Sequence, residues 1–301
     1  MKVLYPDFKI VSVEDKDQID AVSRNFPPYC DFNFLSLYSW SKESFPTRIS
    51  NINGNLVIKL KNYTDNSEIV TFLGKNKLKE TITTLINDFG ALSLVPEDCI
   101  TNETLSIDGI SITEDRNQFD YILSLKDVYD LKGNKYKSKR RGVKSFVNKY
   151  KSTVIEVKNL NDKKIYDDVV ELLVIWNKLK ALGPEHLLSE IEILKKEVSL
   201  SHLCELVFVC VYIGKTLVGF TSNQILDNGF ALGSFGKADF RYNGIFPYLE
   251  YTTVKHLLSY GCEFLNYEQD LGLEGLRNYK LSWRPVKFLK QYKIRKLIDK
   301  I

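Results

Sequence analysis

One order of elements occurs twice along this chain, and it constrains the fold more than any single motif. Apolar periodicity predicts, in the first half, a strand at Phe8–Val13, helices at Asp15–Arg24 and Asp31–Trp40, and strands at Arg48–Ile52, Leu56–Lys61 and Ile69–Leu73. A helix at Lys77–Phe89, a strand at Ala91–Val95, a short helix after Pro96 and a strand at Phe119–Ser124 follow. The second half predicts a strand at Thr153–Val157, helices at Asp162–Leu182 and Pro184–Ser199, and strands at Leu206–Ile213, Thr216–Ile225 and Phe230–Phe235. It closes with a helix at Ile245–Tyr260, a strand at Glu263–Tyr267, a helix at Leu271–Trp283 and a strand at Val286–Tyr292. Hairpin signals at Asn53-Gly54, Gly214-Lys215 and Asp227-Asn228-Gly229 join the meander strands. Strand, two helices, three-strand meander, helix, strand, helix, strand: the order repeats, although no residue-level repeat accompanies it.

Composition narrows the class. The chain of 301 residues is 44% hydrophobic, with 42 basic and 38 acidic side chains, a balance that excludes a disordered tail. The longest apolar run, Leu206–Ile213, is far short of the roughly 20 residues of a membrane span. The N-terminus reaches Pro6 and Asp7 before any apolar stretch forms, so no signal peptide is expected and the expected location is cytoplasmic. Five scattered cysteines and three histidines lack metal-ligand spacing; neither a disulfide framework nor a bound metal is expected.

Charge is concentrated. Nine cations and no acid lie between Lys132 and Lys151, which leaves the remainder with more acids than bases. As a helix, Lys135–Tyr150 places Tyr136, Val143, Phe146, Val147 and Tyr150 on one face and the cations on the other. Such a helix fits a docked connector that presents Lys137, Lys139, Arg140, Arg141 and Lys144 to a polyanion, tRNA among them, with salt-dependent binding. The alternatives are a merely solvated face and peripheral contact with an anionic lipid surface. The domains expected are 1–130, a basic inter-domain helix at 131–151, and 152–301.

The densest chemistry lies in Asn266-Tyr267-Glu268-Gln269-Asp270-Leu271-Gly272-Leu273-Glu274-Gly275-Leu276-Arg277-Asn278-Tyr279-Lys280-Leu281-Ser282-Trp283-Arg284-Pro285. Strand alternation puts Asn266 and Glu268 on one face. Helical spacing then brings Arg277, Lys280 and Arg284 together. A polar strand end beside three cations fits a polar or anionic substrate, in the place where open α/β sheets collect ligands. In the simpler reading Asp270 only caps the helix.

The element order resembles the GNAT (Gcn5-related N-acetyltransferase) superfamily. More specifically, the Glu268–Arg277, Lys280–Ser282 and Arg284-Pro285 segments, with Asp115–Ile122, Leu131–Tyr136 and Lys139–Arg141, resemble the phosphatidylglycerol lysyltransferase C-terminal-domain family in its short standalone bacterial branch, from about Tyr38 to Tyr292. The resemblance implies an α+β (α/β) fold of two tandem GNAT-like domains, each a mixed central sheet flanked by helices. It also implies kinship with Fem-type transferases, which move an amino acid from aminoacyl-tRNA onto an amine or hydroxyl. The lipid-modifying members carry a membrane-spanning domain, and this chain shows none, so acyl transfer carries over better than the lipid acceptor does.

The leading expectation is therefore an aminoacyl-tRNA-dependent acyltransferase acting on a polar small acceptor. Its candidates are Glu268 or Asp270 for proton handling, Lys280 for the ester oxygen, and Asn266, Arg277, Arg284 and Arg241 for substrate. The cofactor turn is Gly236–Phe246, where Arg241 and Gly244 fit the Arg-x-x-Gly-x-Gly/Ala pattern but Phe246 replaces the last small residue. Ordinary CoA binding at a helix N-terminus is accordingly expected to be impaired. An acyl-CoA-dependent N-acyltransferase is the enzymatic alternative, and a non-catalytic RNA- or lipid-binding protein the other.

Overall fold

The computed structural model describes residues 3–62, 67–157 and 160–297; of the stretches read above, Met1, Lys2 and 298–301 lie outside the described residues. Chain order in the first half is β1 (Lys9–Ile10), α1 (Lys16–Ser23), α2 (Phe34–Ser39), β2 (Arg48–Ile52), β3 (Asn55–Lys61), β4 (Glu68–Leu73), α3 (Leu78–Phe89), β5 (Ala91–Pro96), α4 (Asn102–Leu105), β6 (Ile110–Glu114) and β7 (Asp120–Ser124). Then come α5 (Leu125–Asp130), α6 (Lys137–Lys149), β8 (Ser152–Val157), α7 (Lys163–Leu179), α8 (Pro184–Ser199), β9 (Leu206–Ile213), β10 (Thr216–Ile225) and β11 (Phe230–Ala238). The chain closes with α9 (Ile245–Ser259), β12 (Phe264–Asn266), α10 (Glu274–Leu281), β13 (Lys287–Leu289) and β14 (Gln291–Lys296).

Local chemistry explains the elements. The β2–β3 hairpin turns at Asn53 and Gly54, both at positive φ, as a two-residue turn between right-twisted strands requires. Asp162 caps α7 by accepting from the Lys164 and Ile165 amides, and Pro184 starts α8 where its missing N–H costs nothing. Asn33, rather than Asp31, caps α2 through the Leu35 amide. Helix α3 buries Leu78, Ile82, Leu85 and Ile86 as one stripe and ends at Gly90 in the left-handed region.

Two compact units result. The first comprises Met1–Tyr121, Gln269–Arg277 and Phe288–Ile301; the second comprises Ile122–Glu268 and Asn278–Lys287. This grouping departs from the expected 1–130, 131–151 and 152–301. Helix α6 belongs inside the second unit, and the last strand belongs to the first. In the first unit β1-β2-β3-β4 form an antiparallel sheet, and β14 lies between β5 and β6. Its core joins Val57, Phe72, Ile82, Leu85, Leu92 and Val95 to Ile294 of β14. The second unit is built on the sheet β13-β7-β12-β11-β10-β9-β8, in which β11 and β12 are parallel and β7 pairs antiparallel with β12.

The last strand of each half thus serves the sheet of the other. Strand β6 and helix α5 were absent from the sequence expectation, and the single strand predicted at Val286–Tyr292 is two, β13 and β14. Because Ile294 is fully buried in the central strand of its sheet, Ile294→Ala should lower stability by about 2–5 kcal/mol, read as a fall in the urea midpoint. A chain ending at Lys290 should lose the cooperative unfolding of the first unit.

Candidate active site

In the second unit, helix α6 carries the basic segment. Tyr136 and Phe146 are buried, and Val143 and Tyr150 are half-buried, as expected; Val147 is 54% exposed and leaves the apolar stripe. Lys139 is the correction. It is buried, with its ammonium 4.3 Å from the ring centres of both Tyr279 and Trp283. The reason is spacing: Lys139 stands three residues after Tyr136 and four before Val143, so it lies on the stripe and not opposite it. Burial pulls its pKa down to about 8, against the opposing pull of Glu250. Arg140 is exposed, but its guanidinium donates to the carbonyls of Leu131 and Gly133 and so closes the end of α5. Of the five cations expected to meet a polyanion, Lys137, Arg141 and Lys144 face solvent.

Lys139 leads to a group that the sequence reading did not single out. Glu250 is the one acid of α9 and is buried. The Tyr267 phenol donates to Glu250 Oε1. Lys280, also buried, donates its ammonium to the Tyr267 carbonyl oxygen and sits 5.1 Å from the Tyr267 ring centre. Burial raises the Glu250 pKa to about 7, against the Tyr267 hydrogen bond and the charges of Lys139 and Lys280. Burial, reinforced by the Glu250 charge, holds Tyr267 protonated well above the usual phenol range. Beside them the Tyr279 hydroxyl and the Trp283 indole N–H are buried with no well-aligned hydrogen bond among the described residues, and Tyr279 interacts more loosely with Trp283 and Tyr267. A near-neutral carboxyl beside two cations and loosely held polar atoms marks a site suited to a polar group.

The remaining candidates of this unit take other positions. Asn266 is buried, and its side-chain oxygen accepts from the Glu268 amide at 2.8 Å, which holds the turn where Glu268 adopts φ of 55°; Glu268 itself is half-buried. Arg284 is exposed. Arg241 is spent on buried Asp239, with contacts of 2.6–3.1 Å, and its side chain is 60% exposed. At the N-terminus of α9, Gly244 packs directly on α6, and a Cβ there would overlap the Gly142 carbonyl oxygen. Phe246 is fixed edge-on against Trp176 and Tyr279. The start of α9 is thus packed against α6 at Gly244 and against Trp176 and Tyr279 at Phe246.

Asp270 and Arg277 belong to the first unit, whereas Lys280 belongs to the second. Asp270 is fully buried. Its carboxylate accepts from Arg277 Nε at 2.9 Å and Nη2 at 2.8 Å, from Arg116 at 3.0 Å, from the Tyr121 hydroxyl at 2.5 Å and from the Gly272 amide at 2.9 Å. Arg277 also donates to Asn117 at 2.7 Å. Burial acts to raise the Asp270 pKa, but the bonds from Arg277, Tyr121 and Gly272 outweigh it and hold the group at about 2. A carboxyl so acidic accepts no proton near neutrality. The expected convergence of Glu268, Arg277 and Lys280 is replaced by two sets: Asp270 with Arg116 and Arg277, and Glu250 with Tyr267, Lys139 and Lys280.

The family model for the C-terminal part of phosphatidylglycerol lysyltransferase matches residues 29–295. The chain belongs to that family. The quoted segments Asp115–Ile122 and Glu268–Lys280 supply all the side chains of the Asp270 clamp. The chain is similar to a Bacteroides thetaiotaomicron VPI-5482 crystal structure described as a conserved protein of unknown function, with 24% identity, TM-score 0.80, and coverage of 96% of this chain and 99% of that one. It is also similar to the L-PGS from Bacillus licheniformis, with 13% identity, TM-score 0.64 and coverage of 95% and 93%. A tandem GNAT protein from the clavulanic acid biosynthesis pathway shares the fold at 8% identity, TM-score 0.50 and coverage of 98% and 99%. The fold is accordingly a tandem GNAT-like one. No curated protein sequence matches the chain. Among the described residues no helix is long and apolar enough to cross a membrane.

The clamp has a measurable signature. Arg116→Met or Arg277→Met alone leaves Asp270 one cation and should cost about 1–3 kcal/mol; the double change strands a buried carboxylate and should cost more than the sum of the singles. Since the folded pKa lies below the unfolded value near 4, this stabilisation is complete above that value and is lost as pH falls toward about 2. Urea titrations at pH 7 and pH 3 should show the variants converging with the wild type at the lower pH.

Proposed function

We propose that this family member transfers an aminoacyl group from aminoacyl-tRNA onto the amine or hydroxyl of a small polar acceptor, with Glu250 as the general base. The supporting observation is the buried Glu250 carboxyl, hydrogen-bonded by Tyr267 and flanked by Lys139 and Lys280. The aminoacyl ester is already activated, so the protein has to orient the acceptor, take its proton and stabilise the oxyanion. A carboxyl with a pKa of about 7 is ionised in part at neutral pH and returns the proton readily. In the step, the acceptor nitrogen or oxygen bonds to the ester carbonyl carbon and its proton passes to Glu250. Lys280 or Lys139 faces the negative oxygen, and the C–O bond to the tRNA ribose breaks as Glu250 gives its proton to the leaving oxygen.

The donor assignment draws on α6 and α9. Close packing of Gly142 on Gly244 counts against a pyrophosphate-anchored acyl-CoA donor in the second unit. Lys137, Arg141 and Lys144 supply charge for tRNA phosphate. The acyl-CoA alternative gains no support from this helix terminus. The lipid acceptor suggested by the family's description is kept as an arm of the test.

The experiment is discharge of radiolabelled aminoacyl-tRNA, assayed with polar amines and with phosphatidylglycerol vesicles. Glu250→Gln should reduce transfer by about 10²–10⁴-fold and flatten a pH profile that otherwise rises through about 7. The same change should raise thermal stability. With its folded pKa above the unfolded one, Glu250 costs stability increasingly between about pH 4 and 7, so the gain should be full at pH 8 and absent at pH 4. Discharge by Glu250→Gln at the wild-type rate sinks the assignment.

Replacing Lys137, Arg141 and Lys144 together with Ala should reduce the slope of log tRNA affinity against log salt by about 2–3. An unchanged slope assigns these cations to solvent.

A further inference from the structure

The first unit holds a cleft that the proposed reaction does not use. Asp31, Trp40, Lys42, Phe45 and Lys61 line it, with Thr47 and Leu60 behind. Its loop is built, not loose: the Phe45 amide donates to the Lys42 carbonyl at 3.1 Å, and the Thr47 amide donates to Ser41 Oγ at 3.0 Å. Asp31 sits in the turn before α2, half-buried. Its Oδ2 accepts from the side-chain amides of Gln269 and Gln291 at 2.9 Å; the Cys30 thiol lies 3.8 Å from the same oxygen and nearer to Asp120 Oδ1, at 3.1 Å. Oδ1 takes no side-chain donor from the described residues. Gln291 is fully buried, and its Oε1 has no hydrogen-bond partner among the described residues, although its own Nε2 donates to Asp31. Among the described residues no lysine or arginine pairs with Asp31.

We propose that this cleft binds a small zwitterion, with its ammonium on Asp31 Oδ1 beside the Phe45 ring and its anionic end toward Lys61. A desolvated carboxylate with an oxygen that takes no side-chain donor is matched by a cation. Aromatic faces add attraction for an ammonium, and the wall lysines reject a ligand that is cationic at both ends. A free α-amino acid and a phosphoethanolamine group share this chemistry. The inference stands apart from the reading of Glu250, because every residue it uses lies in the first unit and the test reads binding alone.

The test is calorimetric titration of the full chain with L-alanine, L-lysine and O-phosphoethanolamine, and with butylamine and butyrate as half-ligands. At least one zwitterion should bind more tightly than either half-ligand, and Asp31→Asn should weaken it by about 10- to 100-fold. Tighter binding of the amino acids names a carboxylate zwitterion as the ligand; tighter binding of phosphoethanolamine names a phosphate one. Lys61→Met provides a second variant whose fold is not at stake, since it lies at the rim; it should weaken the zwitterion and leave butylamine unchanged. Absence of binding by all three zwitterions at millimolar concentration overturns the proposal. So does binding that is indifferent to both substitutions. Tight stoichiometric binding of Zn²⁺ that Cys30→Ala abolishes overturns it too, because Cys30, Asp31 and Asp120 lie within 4.8 Å of one another and would then form a metal site.

Discussion

A single buried carboxylate fixes the middle and the end of this chain in one unit. Asp270 takes donors from Arg116, Tyr121, Gly272 and Arg277, residues far apart in sequence. Without those donors a fully buried carboxylate is among the costliest groups a core can hold. With them it specifies where the turn before α10 must lie and which way the helix starts. The polar stretches that mark the family are, on this evidence, first of all an internal lock.

Two buried acids, Asp270 in the first unit and Glu250 in the second, show how surroundings divide labour between like groups. Asp270, met by two guanidiniums and a phenol, is driven down to about 2. Glu250, given one phenol and two amines at longer range inside an apolar helix face, is driven up to about 7. Carboxyls pushed apart in this way sort themselves into a permanent charge and a proton carrier. The sorting depends on the enclosing walls, which is why the more conspicuous acid in the sequence turned out to be the structural one.

Most of the element order was legible because apolar periodicity is local. Strands β9, β10 and β2, and helices α8 and α3, lie where their patterns put them. Partnership was not legible. The side chains of β7 and β14 report burial and not which strands lie at their edges, so the exchange between the sheets left no local trace. The Ile-Ser-Ile-Thr alternation of β6 was present and went unread. At the site, Lys139 was visible as a member of the i, i+3, i+7 row from Tyr136, and Glu250 as a lone acid on an apolar helix. Both were overlooked because charge was read as exposure. Only folding brings Tyr267, Lys280, Tyr279 and Trp283 around them.

The placement of β14 also sets a timetable for synthesis. Leu92 of β5 pairs with Ile294, and Ile112 of β6 pairs with the same residue on its other edge. While the ribosome is still making the second half, β5 and β6 flank an empty lane, with two open strand edges and the apolar floor of Leu92 and Val95 uncovered. Strand edges in that condition are where nascent chains find wrong partners. The long separation between partners makes closure a late, slow event. The N-terminal half therefore keeps two strand edges open until β14 arrives, despite being the half that is made first.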